Sequence, residues 1–324
     1  KPHSSVNATP WAFISLAVCM MAGTASLPHV MMRYFTTPSV RTARRSVGWS
    51  LFFIFLLYSS APMLATLSKI SLMDPTLTTG IIGKSVADVQ ALDWYQNWNQ
   101  ANLMFVSDFN GNGTLELNEF FMKGSAVVLA TPEIAGLPYV ISGLVAAGGM
   151  AAAMSTADGL VLAISNALSH DVYYKIINPK AETAKRLIVA RVLLVLIGFA
   201  GATIAALEIQ GILGSVIWAF DFAMSGLFFP LVLGVWWKRA NAPGAVAGML
   251  LGLISGTAYL IWVRSGGSGF LGITQLTFGI VGAAVSLVSM IVVSLITAAP
   301  DAATQKMVDD VRVPSGKTIL GKQH

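Results

Sequence analysis

The chain has 324 residues, of which 55% are hydrophobic and 11% are charged, and its mean hydropathy is +0.70. This composition excludes an ordinary soluble domain, and it favours a membrane protein. The formal net charge is +5, and the single cysteine, Cys19, excludes a disulfide framework and a cysteine metal cluster.

Seven apolar stretches of about twenty residues or more recur along the chain. As a helix, such a stretch crosses the roughly 30 Å hydrocarbon core of a bilayer. The stretches lack the polar face that a helix of a soluble bundle needs. They predict an all-α multi-pass membrane protein surrounded by the lipid bilayer. The predicted spans are Trp11–Met32, Val47–Ser68, Leu137–Leu168, Leu187–Leu207, Gly211–Trp237, Gly244–Val263 and Leu276–Ala298.

The basic residues are distributed unevenly between the two predicted sides of the membrane. If residues 33–46 are cytoplasmic and the sides alternate, 15 of the 20 Lys and Arg residues lie in the cytoplasm. Cytoplasmic loops carry an excess of Lys and Arg, so this orientation is favoured. It predicts a cell (inner) membrane protein with an extracytoplasmic loop at 69–132 and a cytoplasmic tail at 299–324. Because topology explains the positive net charge, no nucleic-acid partner is predicted.

The start of the chain leads to an interpretation of its extent. The chain begins at Lys1 without an initiator methionine, and the first span, entering from outside, begins about ten residues later. We interpret the chain as the C-terminal part of a longer transporter, whose missing N-terminal half would be its partner. We divide it into two spans at 1–68 with a broken helix at 23–28, the loop 69–132, five spans at 133–298, and the tail.

The third predicted span, 137–168, carries candidate ligands for a sodium ion. Ala152, Ser155 and Thr156 lie at i, i+3 and i+4, which places them on one helical face. Two hydroxyls and a backbone carbonyl can replace part of the water shell of Na⁺, and neutral groups cost less in lipid than a charge. The alternative is helix packing, because small residues and hydroxyls let membrane helices approach closely.

Two carboxylates lie within predicted spans, at Asp158 and Asp221. A carboxylate within a membrane carries a high free-energy cost, so such a residue is by default a candidate for a functional role. Asp158 follows Ser155 by three residues, so it flanks the candidate ion face and can supply negative charge or carry a proton. The alternative for Asp158 is a structural carboxylate paired with another helix. Both residues are candidate coupling carboxylates.

The most specific short motif lies outside the predicted spans. Residues 108–119 match the twelve-residue EF-hand calcium loop at every diagnostic position, with Gly113 at the sharp turn. We expect flanking helices within Val89–Ser107 and Leu117–Leu129, no paired second loop, and a Kd for Ca²⁺ of roughly 10⁻⁴–10⁻³ M. The alternative is a polar turn that only resembles the motif. The candidate ligands are the side chains of Asp108, Asn110, Asn112, Glu116 and Glu119 and the backbone carbonyl of Thr114.

Several motifs together resemble one family of transporters. They resemble the sodium:solute symporter family, and the run from Gly23 to Thr36 is similar to its acetate-permease (monocarboxylate) branch. Asp221 departs from the pattern of that branch. The motifs are Gly23–Thr36, Ala43–Ser46, Met154–Thr156, Ser165-Asn166, Ser169–Tyr173, Phe229-Pro230, Trp236–Arg239 and Pro243–Ala245.

The resemblance implies a fold and a set of site residues. The implied fold is the LeuT-type architecture of two inverted repeats, of which this chain would hold the second repeat and two peripheral helices. Glycine and proline favour an interrupted helix at Gly23–Pro28, although a simple proline kink is the alternative. By the resemblance, Thr24, Ala25 and Ser26 line the solute pocket, and the face at Ala152 binds sodium.

The sequence therefore predicts a secondary transporter and no enzyme, because it contains no P-loop, nucleophile elbow or histidine metal cluster. The resemblance implies sodium-coupled symport of a small organic anion such as acetate or another monocarboxylate, with Na⁺ as the coupling ion. Ca²⁺ in the extracytoplasmic loop would be structural or regulatory. One alternative function is a solute-sensing membrane module of the same fold. Another is a proton-coupled symporter of a different small solute.

Overall fold

The computed structural model describes residues 9–207 and 211–312. Lys1 and the part of the predicted tail beyond Arg312 lie outside these described residues. The helices long and apolar enough to cross a membrane are Val40–Met73, Tyr139–Ile177, Thr183–Ala206, Ile212–Trp236, Ala242–Arg264 and Gly279–Ile296. A shorter apolar helix of 17 residues, Pro10–Ser26, corresponds to the first predicted span. The prediction of an all-α multi-pass membrane protein is confirmed.

The described elements follow each other in chain order. Stretches at Met32–Thr36 and Phe270–Gly272 are 3₁₀ turns, and stretches at Ala167–Ile177 and Met224–Phe228 are π-helical. The strands are β1 (Met104–Val106) and β2 (Phe120–Met122). The α-helices are α1 (Pro10–Ser26), α2 (Pro28–Met31), α3 (Val40–Met73), α4 (Val86–Gln90), α5 (Asp93–Gln100), α6 (Val127–Ile134), α7 (Tyr139–Asn166), α8 (Thr183–Ala206), α9 (Ile212–Ala223), α10 (Phe229–Trp236), α11 (Ala242–Arg264), α12 (Gly279–Ile296) and α13 (Ala302–Arg312).

The chain forms two compact units, one of residues 44–158 and one of the remaining residues. In the second of these, α11 packs against α12 through small residues. Gly244, Gly248, Gly252 and Gly256 recur every four residues on α11 and are buried. A Cβ at Gly248 would lie 3.0 Å from the backbone oxygen of Ser286 on α12. Such close backbone approach is typical of membrane helices that pack through small residues.

The ends of α11, α12 and α13 are fixed by polar contacts. The Asn241 side chain accepts a hydrogen bond from the Gly244 N–H (3.0 Å) and so caps the start of α11. The Arg239 guanidinium donates to the carbonyl of Thr297 (2.7 Å) just past the end of α12. The Lys238 ammonium lies 2.7 Å from the Asp309 carboxylate, which joins α13 to the loop after α10. Part of the predicted tail is thus an ordered helix.

The unit of residues 44–158 contains a small domain between α3 and α7. Strands β1 and β2 pair antiparallel, with Phe105 opposite Phe121 and their rings stacked at a centroid distance of 4.7 Å. The polar loop 108–119 connects these strands. The core of the small domain is formed by Leu72, Ile81, Val89, Tyr95, Met104, Leu115, Ala130 and Ile134.

Helix α5 lies within the first of the two segments expected to be helical and α6 begins in the second, but neither helix adjoins the loop 108–119. Short strands flank it instead, and α5 and α6 lie farther out along the chain. The physical reason is that the segments next to the loop, Met104–Val106 and Phe120–Met122, are rich in aromatic and β-branched residues. Such residues form stable cross-strand pairs, and these pairs override a helical tendency.

Candidate functional site

The candidate sodium residues lie together on α7. Ser155 Oγ donates a hydrogen bond to the backbone carbonyl of Ala152 (3.0 Å), and Thr156 Oγ1 donates to the same oxygen (3.3 Å). All three residues are exposed in the structure. Since each hydroxyl uses its one hydrogen inside the helix, its lone pairs remain available as acceptors. The face therefore offers a compact group of neutral oxygens that can form part of a cation's shell.

The two candidate coupling carboxylates differ completely in their surroundings. Asp158, on α7, is exposed. Asp221, on α9, is 0% exposed, and the π-helical stretch 224–228 begins three residues after it. Stretches of this kind are frequent at functional sites. The sequence identified both residues from their position in apolar spans, but it did not distinguish the exposed carboxylate from the buried one.

The first membrane helix is interrupted beside the candidate solute residues. Helix α1 ends at Ser26, Leu27 adopts an extended backbone (φ −69°, ψ 119°), and α2 begins at Pro28. A residue before proline is disfavoured in the α-region, which explains the break at Leu27. Thr24 and Ala25 are exposed, whereas Ser26 is 0% exposed.

The hydrogen bonds of their hydroxyl groups also distinguish Ser26 from Thr24. The Ser26 hydroxyl donates to the carbonyls of Ala22 (2.9 Å) and Gly23 (3.0 Å), so it is turned into its own helix. The Thr24 hydroxyl donates to the carbonyl of Met20 (2.6 Å). Gly23 itself is required for packing, because a Cβ there would lie 2.5 Å from the Phe220 carbonyl oxygen. The open side of the break is therefore formed by Thr24 and Ala25.

The loop 108–119 is a tight turn held by its own polar side chains. Gly111 and Gly113 have φ values of +70° and +73°, which favour glycine. The two Asp108 carboxylate oxygens accept hydrogen bonds from the N–H groups of Gly111 (2.7 Å) and Gly113 (2.9 Å). The side-chain oxygen of Asn112 accepts from the Thr114 N–H (2.7 Å). These bonds wrap the backbone around the candidate ligands.

The second half of the loop carries the remaining candidate ligands, which are also held by hydrogen bonds within the loop. Glu119 is 0% exposed, and its oxygens accept from the N–H groups of Phe109 (2.9 Å) and Glu116 (2.9 Å). The Glu116 carboxylate accepts from the side-chain amides of Asn110 and Asn112, both at 3.1 Å. Within the described part of the chain there is no cluster of three or more His, Cys, Asp or Glu side chains arranged to hold a metal. The donor set thus depends on Asn oxygens and a backbone carbonyl as well as carboxylates.

The structure also supplies a backbone partner for the loop, which the sequence did not reveal. Leu115, at loop position eight, is buried in the core of the small domain. Its N–H donates to the carbonyl of Lys84 (2.8 Å), its carbonyl accepts from the Gly83 N–H (2.9 Å), and Thr114 bridges to Ser85. The segment 83–85 therefore stands where a second loop would pair in an EF-hand.

A further cavity of about 600 Å³ was also missed by the sequence reasoning. It is lined in part by Pro28, Met32 and Asn166, with His170 and Arg186 beside them. The Arg186 guanidinium lies 3.7 Å from the ring centroid of Tyr174. The motif Ser169–Tyr173 was the available signal, because it contains His170, but the sequence does not indicate which residues close the cavity.

Comparison with known proteins identifies part of the chain. Residues 123–252 match the model of the sodium:solute symporter family. This segment is similar to that family. It contains the sodium-site candidates on α7 and the buried Asp221 on α9, so both lie within the matched segment. The sequence-based recognition of the family is confirmed.

Two relatives extend the similarity over most of the chain. An uncharacterized symporter of Cupriavidus necator is 41% identical over 295 residues, which cover 88% of this chain and 42% of the relative. A monocarboxylic acid transporter of Corynebacterium glutamicum is 28% identical over 255 residues, covering 78% of this chain and 39% of the relative. The chain thus spans about two fifths of the length of these relatives. The prediction of a transporter and not an enzyme agrees with the family and with both relatives.

Proposed function

We propose that this chain is the C-terminal part of a secondary transporter that couples sodium entry to the uptake of a small organic anion, such as acetate or another monocarboxylate. The observation that carries the proposal is the group of three neutral oxygens on α7, within the symporter-family segment. In this proposal, an N-terminal half outside the chain would supply the other ligands of the ion. The LeuT-type inverted repeat and the proposed orientation, with loop 69–132 extracytoplasmic, belong to this proposal.

The solute class is proposed from two independent features. One relative is named as a monocarboxylic acid transporter. The open side of the interrupted helix carries the small residues Thr24 and Ala25, which leave room for a small solute and can present backbone groups to it. A solute-sensing module is less favoured, because both relatives are named as transporters.

The test is uptake of labelled acetate by the full-length protein in vesicles, with and without a sodium gradient. Alanine at Ser155 or Thr156 should raise the sodium concentration for half-maximal uptake roughly tenfold, equivalent to about 1.4 kcal/mol. Thr203→Ala is the matched control, because the Thr203 hydroxyl is also exposed and donates to its own helix (2.9 Å to Phe199). An unchanged sodium requirement in both test variants would assign the hydroxyls to helix packing.

We also infer that the loop 108–119 binds Ca²⁺. The oxygens of Asp108, Asn112 and Glu119 are ordered by backbone N–H groups, and Glu119 is buried at the position of the bidentate ligand. Isothermal titration with Ca²⁺ should give one site with a Kd of roughly 10⁻⁴–10⁻³ M. Titration with Mg²⁺ is the control, since Mg²⁺ dehydrates reluctantly and needs a tighter octahedral cage.

A further inference from the structure

Asp221 is a carboxylate enclosed in the apolar part of the protein. It lies within the helical span Ile212–Trp236, and its side chain is 0% exposed. The Cys19 thiol and the backbone N–H groups of Phe278 and Gly279 lie near its carboxylate oxygens, but none of them forms a hydrogen bond of regular geometry with these oxygens. Buried polar groups in proteins are normally well paired, so the weak pairing of Asp221 requires an explanation.

The groups that face Asp221 are few and neutral. Cys19 on α1 is 0% exposed, and its thiol is the neighbouring titratable group. Gly279 begins α12 and lies so close that a Cβ there would be 2.8 Å from Asp221 Oδ1. In the π-helical stretch 224–228, the Ser225 hydroxyl donates to the backbone carbonyl of Asp221 (2.7 Å) and is thereby engaged.

The other titratable and charged groups on the neighbouring elements are engaged elsewhere. On α11, the Tyr259 hydroxyl donates to the carbonyl of Ile273 (3.0 Å) and accepts from the Phe270 N–H (2.8 Å). The Arg264 guanidinium lies 5.0 Å from the ring centroid of Trp218. Helices α1, α9 and α12 and the stretch 224–228 contain no Lys, Arg or His. No cation among the described residues therefore forms an ion pair with Asp221.

Burial without a counter-charge favours one chemical state. An ionised carboxylate loses its hydration in an apolar interior, whereas the neutral acid avoids that cost. The start of α12 offers only a partial positive charge. A metal cation fits poorly, because hard cations need several oxygen ligands and the groups at Asp221 are a thiol and backbone N–H groups. A proton needs no ligand shell.

We propose that Asp221 is a proton-binding site within the helix packing of α1, α9 and α12. In the bound state the carboxylate has taken one proton from water and is a neutral acid. On release the O–H bond breaks, the proton returns to water, and the carboxylate is left facing the N–H groups of Phe278 and Gly279.

The site adjoins the helix that carries the candidate solute residues. Cys19 precedes Thr24 on α1 by little more than one turn. Protonation of Asp221 therefore changes the charge at the contact between α1 and α12, close to the interrupted segment. A role for this proton in the transport cycle rests on the proposed transport function, whereas proton binding itself does not.

The test is infrared difference spectroscopy of the full-length protein in nanodiscs, without solute, as the pH is lowered from alkaline to mildly acidic. A protonated carboxyl group has a C=O stretching band that a carboxylate lacks. We expect this band to appear in the wild type at mildly acidic pH and to be absent in Asp221→Asn, which preserves the shape of the side chain. Asp309→Asn is the matched control, because Asp309 is exposed and paired with Lys238; this variant should keep the band.

A second variant makes the assignment independent of the folding of Asp221→Asn. Cys19→Ala should shift the frequency of the band without abolishing it, because the thiol adjoins the carboxyl group. Identical wild-type and Asp221→Asn spectra at mildly acidic pH would overturn the proposal. Displacement of the band by added Na⁺ at constant pH would also overturn it, since the site would then bind a metal cation. Neither result depends on whether the protein transports acetate.

Discussion

Replacing Glu119 by Gln is the sharpest perturbation of the proposed calcium loop. The Glu119 carboxylate is 0% exposed, and its two oxygens accept the N–H groups of Phe109 and Glu116 at 2.9 Å each. In Glu119→Gln one oxygen becomes an NH₂ group, which faces an N–H donor. The variant therefore loses a buried hydrogen bond and the bidentate ligand together. The first loss should cost about 1–3 kcal/mol with or without calcium.

The second loss depends on calcium and can be separated from the first. With a Kd of roughly 10⁻⁴ M, about 10⁻² M Ca²⁺ is near 100 times the Kd and should stabilise the folded wild type by about 2.7 kcal/mol. Glu119→Gln should show almost none of this increment. The assay is the melting temperature of the purified protein with Ca²⁺ and with a chelator, at constant ionic strength.

A control variant shows whether the effect belongs to the ligands. Asn118 occupies loop position eleven, is exposed, and is not a candidate ligand. Asn118→Ala should keep the full calcium-dependent rise in melting temperature. An equal rise in wild type and Glu119→Gln would show that calcium acts elsewhere, and the calcium-loop interpretation would be refuted.

Two further predictions concern packing and pH. A Cβ at Gly252 would contact the Ser225 backbone oxygen. Gly252→Ala should therefore lower the free energy of unfolding by about 1–3 kcal/mol, measured in denaturant melts. Gly201 has open space around it, so Gly201→Ala is the control and should not lower this free energy. The Lys238 ammonium lowers the pKa of Asp309, so this pair should stabilise the protein above the ordinary carboxyl pKa and cease to do so as the pH falls through the lowered value. Asp309→Asn should therefore flatten the acid limb of the melting temperature against pH, an effect that high salt reduces; identical profiles would contradict it.

The sequence predicted features that depend on local chemistry. The apolar stretches gave the membrane helices, because span length depends only on local hydropathy. The interruption at Leu27 also followed locally, since Pro28 restricts the residue before it. The turn 108–119 followed from the positions of its Asn, Asp and Gly residues, whose backbone bonds are short-range.

The features that the sequence did not predict depend on contacts between distant residues. Phe105 and Phe121 stack across the two strands beside the loop, and this contact forms only because the loop brings the strands together. Leu115 pairs with the segment 83–85, which lies some thirty residues earlier and carries no motif. The complete burial of Asp221 comes from α1 and α12, so no pattern within α9 could separate it from the exposed Asp158.

The contacts of the small domain also determine how far calcium can act. Leu115 of the loop shares a core with Ile134 of α6, and Trp98 Nε1 donates to the Glu133 carboxylate (3.0 Å). Helix α6 is therefore fixed by the domain that holds the loop, and a short connection leads from it into α7, the helix that carries Ser155. If calcium orders the loop, amide hydrogen exchange should slow in α6 and at the start of α7 in wild type, but not in Glu119→Gln. Protection confined to residues 108–119 would show that the ion stabilises only the loop and does not influence the helix of the proposed sodium site.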